Sequence, residues 1–128
     1  MILLACMLCT GAEAQKIHLA QTLINKTLPT ACFANKMAEV GVSDYWINQL
    51  QGADKRLEIR FYREESQTVG WTYLNDNKIN LNRKFHDGYT ACQSGSNIAH
   101  ELAHTLGYAH FVDVAYATNY AFSACCPK

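Results

Sequence analysis

His100-Glu101-Leu102-Ala103-His104-Thr105-Leu106-Gly107-Tyr108-Ala109-His110 is the stretch on which the reading of this chain turns. Three histidines, a glutamate and a glycine fill five specified positions in eleven, the pattern HExxHxxGxxH. At ordinary residue frequencies it arises by accident on the order of once in a hundred thousand chains of this length. On an α-helix His100 and His104 stand one turn apart on one face, so their imidazoles converge on a single tetrahedral metal. Glu101 lies about 100° further round; it is poorly placed as a third ligand but reaches a water on the metal. Gly107 falls where the helix should stop, and a glycine takes positive φ there without steric cost. The chain then turns back and His110 approaches from another direction. Three nitrogens leave a fourth position open, the layout of a catalytic rather than a structural zinc.

Outward from the motif, Ser94-Gly95-Ser96-Asn97 offers N-cap residues just before the apolar Ile98-Ala99. Leu102 and Leu106 follow Ile98 at spacing four and form the buried stripe behind the histidines.

These residues resemble the zinc site of the metzincin metallopeptidases. The likeness covers the whole extended motif, and the rest of the chain only loosely. It implies His100, His104 and His110 as ligands of Zn2+, Glu101 as general acid/base, and a zinc endopeptidase acting on protein or peptide substrates. Metzincins also carry a methionine turn beneath the metal, downstream of the third histidine. Here the methionines are Met1, Met7 and Met37, and residues 114–122 occupy that region with Tyr116 as a candidate floor. Tyr116 and Tyr120, with Tyr108 inside the motif as a third, are candidate hydrogen-bond donors to a developing oxyanion. The simpler reading makes them core or rim aromatics. The departure at methionine keeps a second function open, a catalytically inactive zinc-stabilised binding module. A third keeps the chemistry but turns it on a small amide or cell-wall peptide.

At 128 residues the chain is one domain, near the size where disulfides help a modest core. Eleven basic residues balance eleven acidic ones, and without a basic patch nucleic acid is excluded as a partner. Residues 1–14 resemble a secretory signal: Ile2 to Cys9 is apolar, and Ala12-Glu13-Ala14 fits a small-x-small cleavage site. They are too short to span a membrane. Leu3-Leu4-Ala5-Cys6 also resembles a lipid-attachment box, a minor alternative to plain secretion. The expected product is a secreted monomer, residues 15–128, keeping Cys32, Cys92, Cys125 and Cys126. Adjacent cysteines rarely pair, so Cys32 and Cys92 should each bond to one of Cys125 and Cys126.

Hydrophobic spacing predicts helices over 16–28, closed by Pro29, and over 30–39. A short helix over 45–50 follows, capped by Ser43 or Asp44 and ended at Gly52. Strands are predicted over 57–62, 69–74 and 78–82, the last two a hairpin about Asn75-Asp76-Asn77, with a polar connection over 83–95. The fold class is α+β: a short twisted sheet, a backing helix and an active-site helix. By the resemblance, the 69–74 strand forms the upper rim of the cleft, where an extended peptide adds to its edge. Gly70 either permits close backbone approach or marks a bulge; Trp71 reads as core. His18 and His86 have no partner at ligand spacing and read as surface or locally bonded. Asp113 is either an acceptor orienting a ligand imidazole or a solvated turn residue, and Glu64-Glu65 a solvated loop.

Overall fold

Alternation builds the sheet. Leu57 and Ile59 in β2 (Lys55–Tyr62), and Ile79 and Leu81 in β4 (Lys78–Asn82), are buried at every second position. In the computed structural model, which describes residues 1–108 and 114–127, these strands run parallel with Ile59 opposite Ile79. β1 (Ile2–Met7) joins β2 in parallel on its far side, Leu4 opposite Leu57. The two-residue β3 (Gly70–Trp71) pairs antiparallel with β4, giving the order β1-β2-β4-β3.

The helices are α1 (Gly11–Thr27), α2 (Ala31–Glu39), α3 (Asp44–Gln51), α4 (Arg83–His86), α5 (Ala91–Thr105) and α6 (Val114–Cys125). Ile17, Ala20 and Ile24 form the buried stripe of α1, which packs on β1 and α5. α6 packs against both α5 and α2, burying Ala115, Thr118, Ala121 and Phe122. The architecture is α+β, and the predicted helices over 16–28, 30–39 and 45–50 and strands over 57–62 and 78–82 are all present.

Several local expectations are corrected. α1 begins at Gly11, because Thr10 and Glu13 form a reciprocal capping box. Ahead of it come β1 and a turn closed by a Cys6–Cys9 disulfide. The edge of β1 is covered from α1: Asn25 exchanges two hydrogen bonds with the Ile2 backbone at 2.7 and 2.8 Å, and the Gln21 Oε1 accepts from Leu4 N–H at 2.8 Å. Glu13 is further held by Arg83, whose Nε donates at 2.7 Å. The predicted strand over 69–74 shrinks to Gly70–Trp71. Beyond it Asn75 N–H donates to the His104 carbonyl at 3.1 Å and draws the chain toward the end of α5. Trp71 is not core: on this edge strand it is 40% exposed, edge-on to Tyr73 at 5.3 Å.

Residues 83–95 are not a plain connection either. Asn82 caps α4, and a Thr90–Gln93 capping box starts α5 ahead of the expected caps. Ser94 and Ser96 are instead buried within α5, where their hydroxyls serve contacts with neighbouring elements. Cys32 bonds Cys125 and Cys92 bonds Cys126, so each pairs with one of the adjacent cysteines as expected, and α6 is tied to both α2 and α5. No helix among the described residues is long and apolar enough to cross a membrane.

Candidate metal centre

The two motif histidines meet. His100 Nε2 and His104 Nε2 are 3.3 Å apart, both rings are buried, and their ring centroids are 5.0 Å apart. Two imidazole nitrogens on one tetrahedral zinc, at about 2.05 Å each, would stand about 3.3–3.4 Å apart. The pair therefore already has the spacing a shared zinc requires. Together with Glu101 the ligand atoms lie within 4.8 Å of one another.

Helix termination sets one of the rings. Gly107, at φ +97°, closes α5 with Gly107 N–H donating to the His104 carbonyl at 2.9 Å and Tyr108 N–H to that of Ala103 at 3.0 Å. This left-handed close is the 6→1 and 5→2 pair of a Schellman turn. It brings the Tyr108 carbonyl against His104 Nδ1. A carbonyl can only accept, so Nδ1 carries the hydrogen and Nε2 keeps its lone pair for a metal. The motif glycine thus acts through the tautomer of its neighbour as well as through the turn.

Glu101 is 3% exposed, and its Oε2 has no hydrogen-bond partner among the described residues. Burial pushes its carboxyl up to about 8. An unsatisfied buried carboxyl oxygen costs stability, and its presence beside two converging imidazoles fits a site built for a cation and a water. Two imidazole nitrogens with a carboxyl group beside them make a donor set that could hold a divalent cation.

His100, Glu101 and Tyr116 border a cleft of about 600 Å³ beneath Val69 and Gly70. Tyr116 is half exposed and lies edge-on to His100, ring centroids 5.0 Å apart. Tyr120 lines a neighbouring groove with Val42 and Trp46 and does not border this cleft. Tyr108 is buried against the Trp46 ring at 4.8 Å, so its contribution is the backbone carbonyl and not the phenol. His110 and Asp113 lie outside the described residues.

Two residues in the site carry no signal in the motif. Asn119, on α6, places its side-chain amide 2.8 Å from His100 Nδ1. Its spacing from the motif predicts nothing, because it arrives from another helix. Asn97 explains Gly70: a Cβ there would stand 2.6 Å from Asn97 Oδ1 and 2.9 Å from the Asn80 carbonyl. The close approach that needs a glycine is that of α5 to the sheet edge. His18 is exposed, as are Glu64 and Glu65, whereas His86 is buried and locally hydrogen-bonded. Comparison of the chain with protein families, characterised proteins and solved structures returned no match.

Proposed function

We propose that this chain is a secreted zinc-dependent endopeptidase. The observation that carries the reading is the 3.3 Å separation of the His100 and His104 Nε2 atoms beside Glu101, whose Oε2 has no partner among the described residues, at the wall of an open cleft. His100 and His104 would hold the zinc, with His110 as third ligand by the resemblance to metzincins. Bound zinc polarises a water and a peptide carbonyl. Glu101 takes the proton of the attacking water and passes it to the departing amine. Tyr116 is the tyrosine at hand to donate to the oxyanion. The edge strand β3 is where an extended substrate backbone would add. Three disulfides accord with an oxidising, extracellular setting.

The test is zinc analysis together with casein cleavage, with and without chelator, on one preparation of wild type and Glu101→Gln. Zinc in both proteins, with chelator-sensitive cleavage by wild type alone, is the expected result. Cleavage by Glu101→Gln at the wild-type rate overturns the mechanism. Zinc without any cleavage leaves the metal-stabilised binding module.

A further inference from the structure

The cleft extends well beyond the residues to which the proposed chemistry assigns a role. α5 lends it one stripe, Gln93, Ser96, Asn97, His100 and Glu101, which share a helix face. α6 runs antiparallel beside that stripe: Asn119 meets His100, Ser123 meets Ser96, and Cys126 bonds Cys92. Tyr116 therefore stands at the Glu101 end of the cleft and Ser123 at the Gln93 end. The rim follows the same axis, since Gly70 lies over Asn97 and the Asn75 N–H reaches the His104 carbonyl. Gln67 thus falls toward Gln93. At 1.5 Å per helical residue, Gln93 and Glu101 are about 12 Å apart along the cleft, the length of three to four extended residues.

The hydrogen-bonding roles at the far end are fixed by the backbone. Gln93 Oε1 accepts from Thr90 N–H at 2.8 Å in the capping box that starts α5, which leaves the Gln93 Nε2 as a donor. Ser96 has a single hydroxyl hydrogen, and it goes to the Asn119 carbonyl at 3.0 Å. Ser123 must therefore donate to Ser96 Oγ across 2.8 Å, and its own Oγ keeps lone pairs to accept with. Gln93 and Ser123 are both exposed, and both border the cleft and the next hollow toward Leu23 and Pro127. Among the described residues bordering the cleft, Glu101 is the one aspartate, glutamate, lysine or arginine, and it lies at the opposite end. A charged side chain would meet no counter-charge beside Gln93, and an apolar one would strip these groups of water without replacing it. An amide donor next to a hydroxyl acceptor is matched by a group that offers one acceptor and one donor side by side.

We propose that this end of the cleft is a carboxamide subsite, and that the peptide cut beside Glu101 carries glutamine or asparagine about three residues from the scissile bond. The carboxamide oxygen of the substrate accepts from Gln93 Nε2, and its NH2 donates to Ser123 Oγ. The inference rests on the reading of the cleft as a peptidase site, and adds to it the class of side chain selected.

Digestion of a peptide library by the zinc-loaded protein, with cut sites read by mass spectrometry, tests this on wild type, Gln93→Glu and Ser123→Ala. A glutamate at position 93 still accepts from Thr90 N–H and keeps the capping box, while the donor facing the cleft becomes a carboxylate oxygen. Wild type should enrich glutamine and asparagine over glutamate, lysine and leucine at one position about three residues from the cut. In Gln93→Glu the preference for glutamine over lysine there should fall about tenfold, and in Ser123→Ala the preference for glutamine over leucine about threefold, each the size of one hydrogen bond. Zinc content and thermal midpoint should match wild type in both variants, which separates lost recognition from lost structure. Cleavage with no preference at that position, or with a preference for a charged or apolar residue, overturns the subsite alone. So does a Gln93→Glu profile identical to wild type. Zinc-loaded wild type that cuts nothing in the library overturns the peptidase reading, and the subsite with it.

Discussion

Two groups of buried histidine rest on α5, and they are built on opposite plans. His86 is 1% exposed, with Nδ1 2.9 Å from Ser94 Oγ and Nε2 2.9 Å from Asn97 Oδ1. The Asn97 oxygen accepts from Nε2–H and the Ser94 hydroxyl donates to Nδ1, so neither nitrogen is left over. One turn and more along the helix, His100 and His104 turn their Nε2 atoms toward each other, beside a carboxyl oxygen that has no partner among the described residues. Native interiors leave few buried polar groups unpaired, and each exception calls for a reason. The contrast teaches that burial of a histidine says little; what matters is which groups its nitrogens face, a serine and an asparagine at His86 and a second imidazole at His100 and His104.

The sharpest way to break the contrast is at the carboxyl. Glu101→Gln should lower kcat by about 10²–10⁴-fold, the usual contribution of a general acid/base, with zinc content unchanged by metal analysis. The same variant should leave the thermal midpoint of the metal-free protein near wild type at pH 4 and raise it progressively as pH climbs toward 9. The sign follows from a folded-state pKa raised to about 8 by burial: folding favours the neutral acid, and that preference is lost as pH rises through this value. An equal midpoint at pH 9 would count against an unsatisfied buried carboxyl.

Histidine replacement should separate the two sites. His104→Ala should weaken zinc binding by more than about 100-fold, beyond the loss from an orienting partner alone, whereas His86→Asn should leave zinc affinity intact in chelator competition. At neutral pH His86→Asn should instead cost about 1–3 kcal/mol in denaturant unfolding, because Ser94 and Asn97 lose their buried partner. Loss of zinc in His86→Asn would erase the distinction between the two groups.

Acid should act on the structural histidine. Burial depresses the His86 pKa from 6.5 to about 4. Its stabilising neutral form is fully effective above pH 6.5, and its contribution falls as pH drops toward 4. The expected loss is at most about 3 kcal/mol over that window, and the acid limb of a stability–pH curve should flatten in His86→Asn. A smaller effect is expected at the helix close. Gly107→Ala places a Cβ at φ +97° and should cost about 1–2 kcal/mol, with weaker zinc binding as the Tyr108 carbonyl shifts from His104. Unchanged affinity in that variant would separate the turn from the tautomer.

Much of this was legible along the chain because it depends on near neighbours. Thr30 and Ser43 stand at the starts of α2 and α3, and Gly52 and Gly107 at the ends of α3 and α5. The alternation of Leu57, Ile59, Ile79 and Leu81 is a property of the strands themselves. The misplaced start of α5 has a specific cause. Ser94, Gly95 and Ser96 look like a cap, but their small size serves close packing: a Cβ at Gly95 would stand 3.1 Å from the Phe122 ring. Trp71 was misread because nothing local says which strand will be at an edge. That residues 2–7 pair with β2 was not legible, because an apolar run carries no mark of the strand it will join.

The order of residues alone determined that His100 and His104 share a helix face, that Glu101 lies beside them, and that the helix ends at Gly107. Each follows from a fixed helical repeat or from the freedom of a residue without a Cβ. Tertiary structure alone decided that Tyr116 and not Tyr120 borders the cleft, that Cys32 takes Cys125, and that Asn119 faces His100. Those outcomes depend on how α6 is laid against α5 and α2, and the energy of that packing is spread over contacts between residues far apart in the chain.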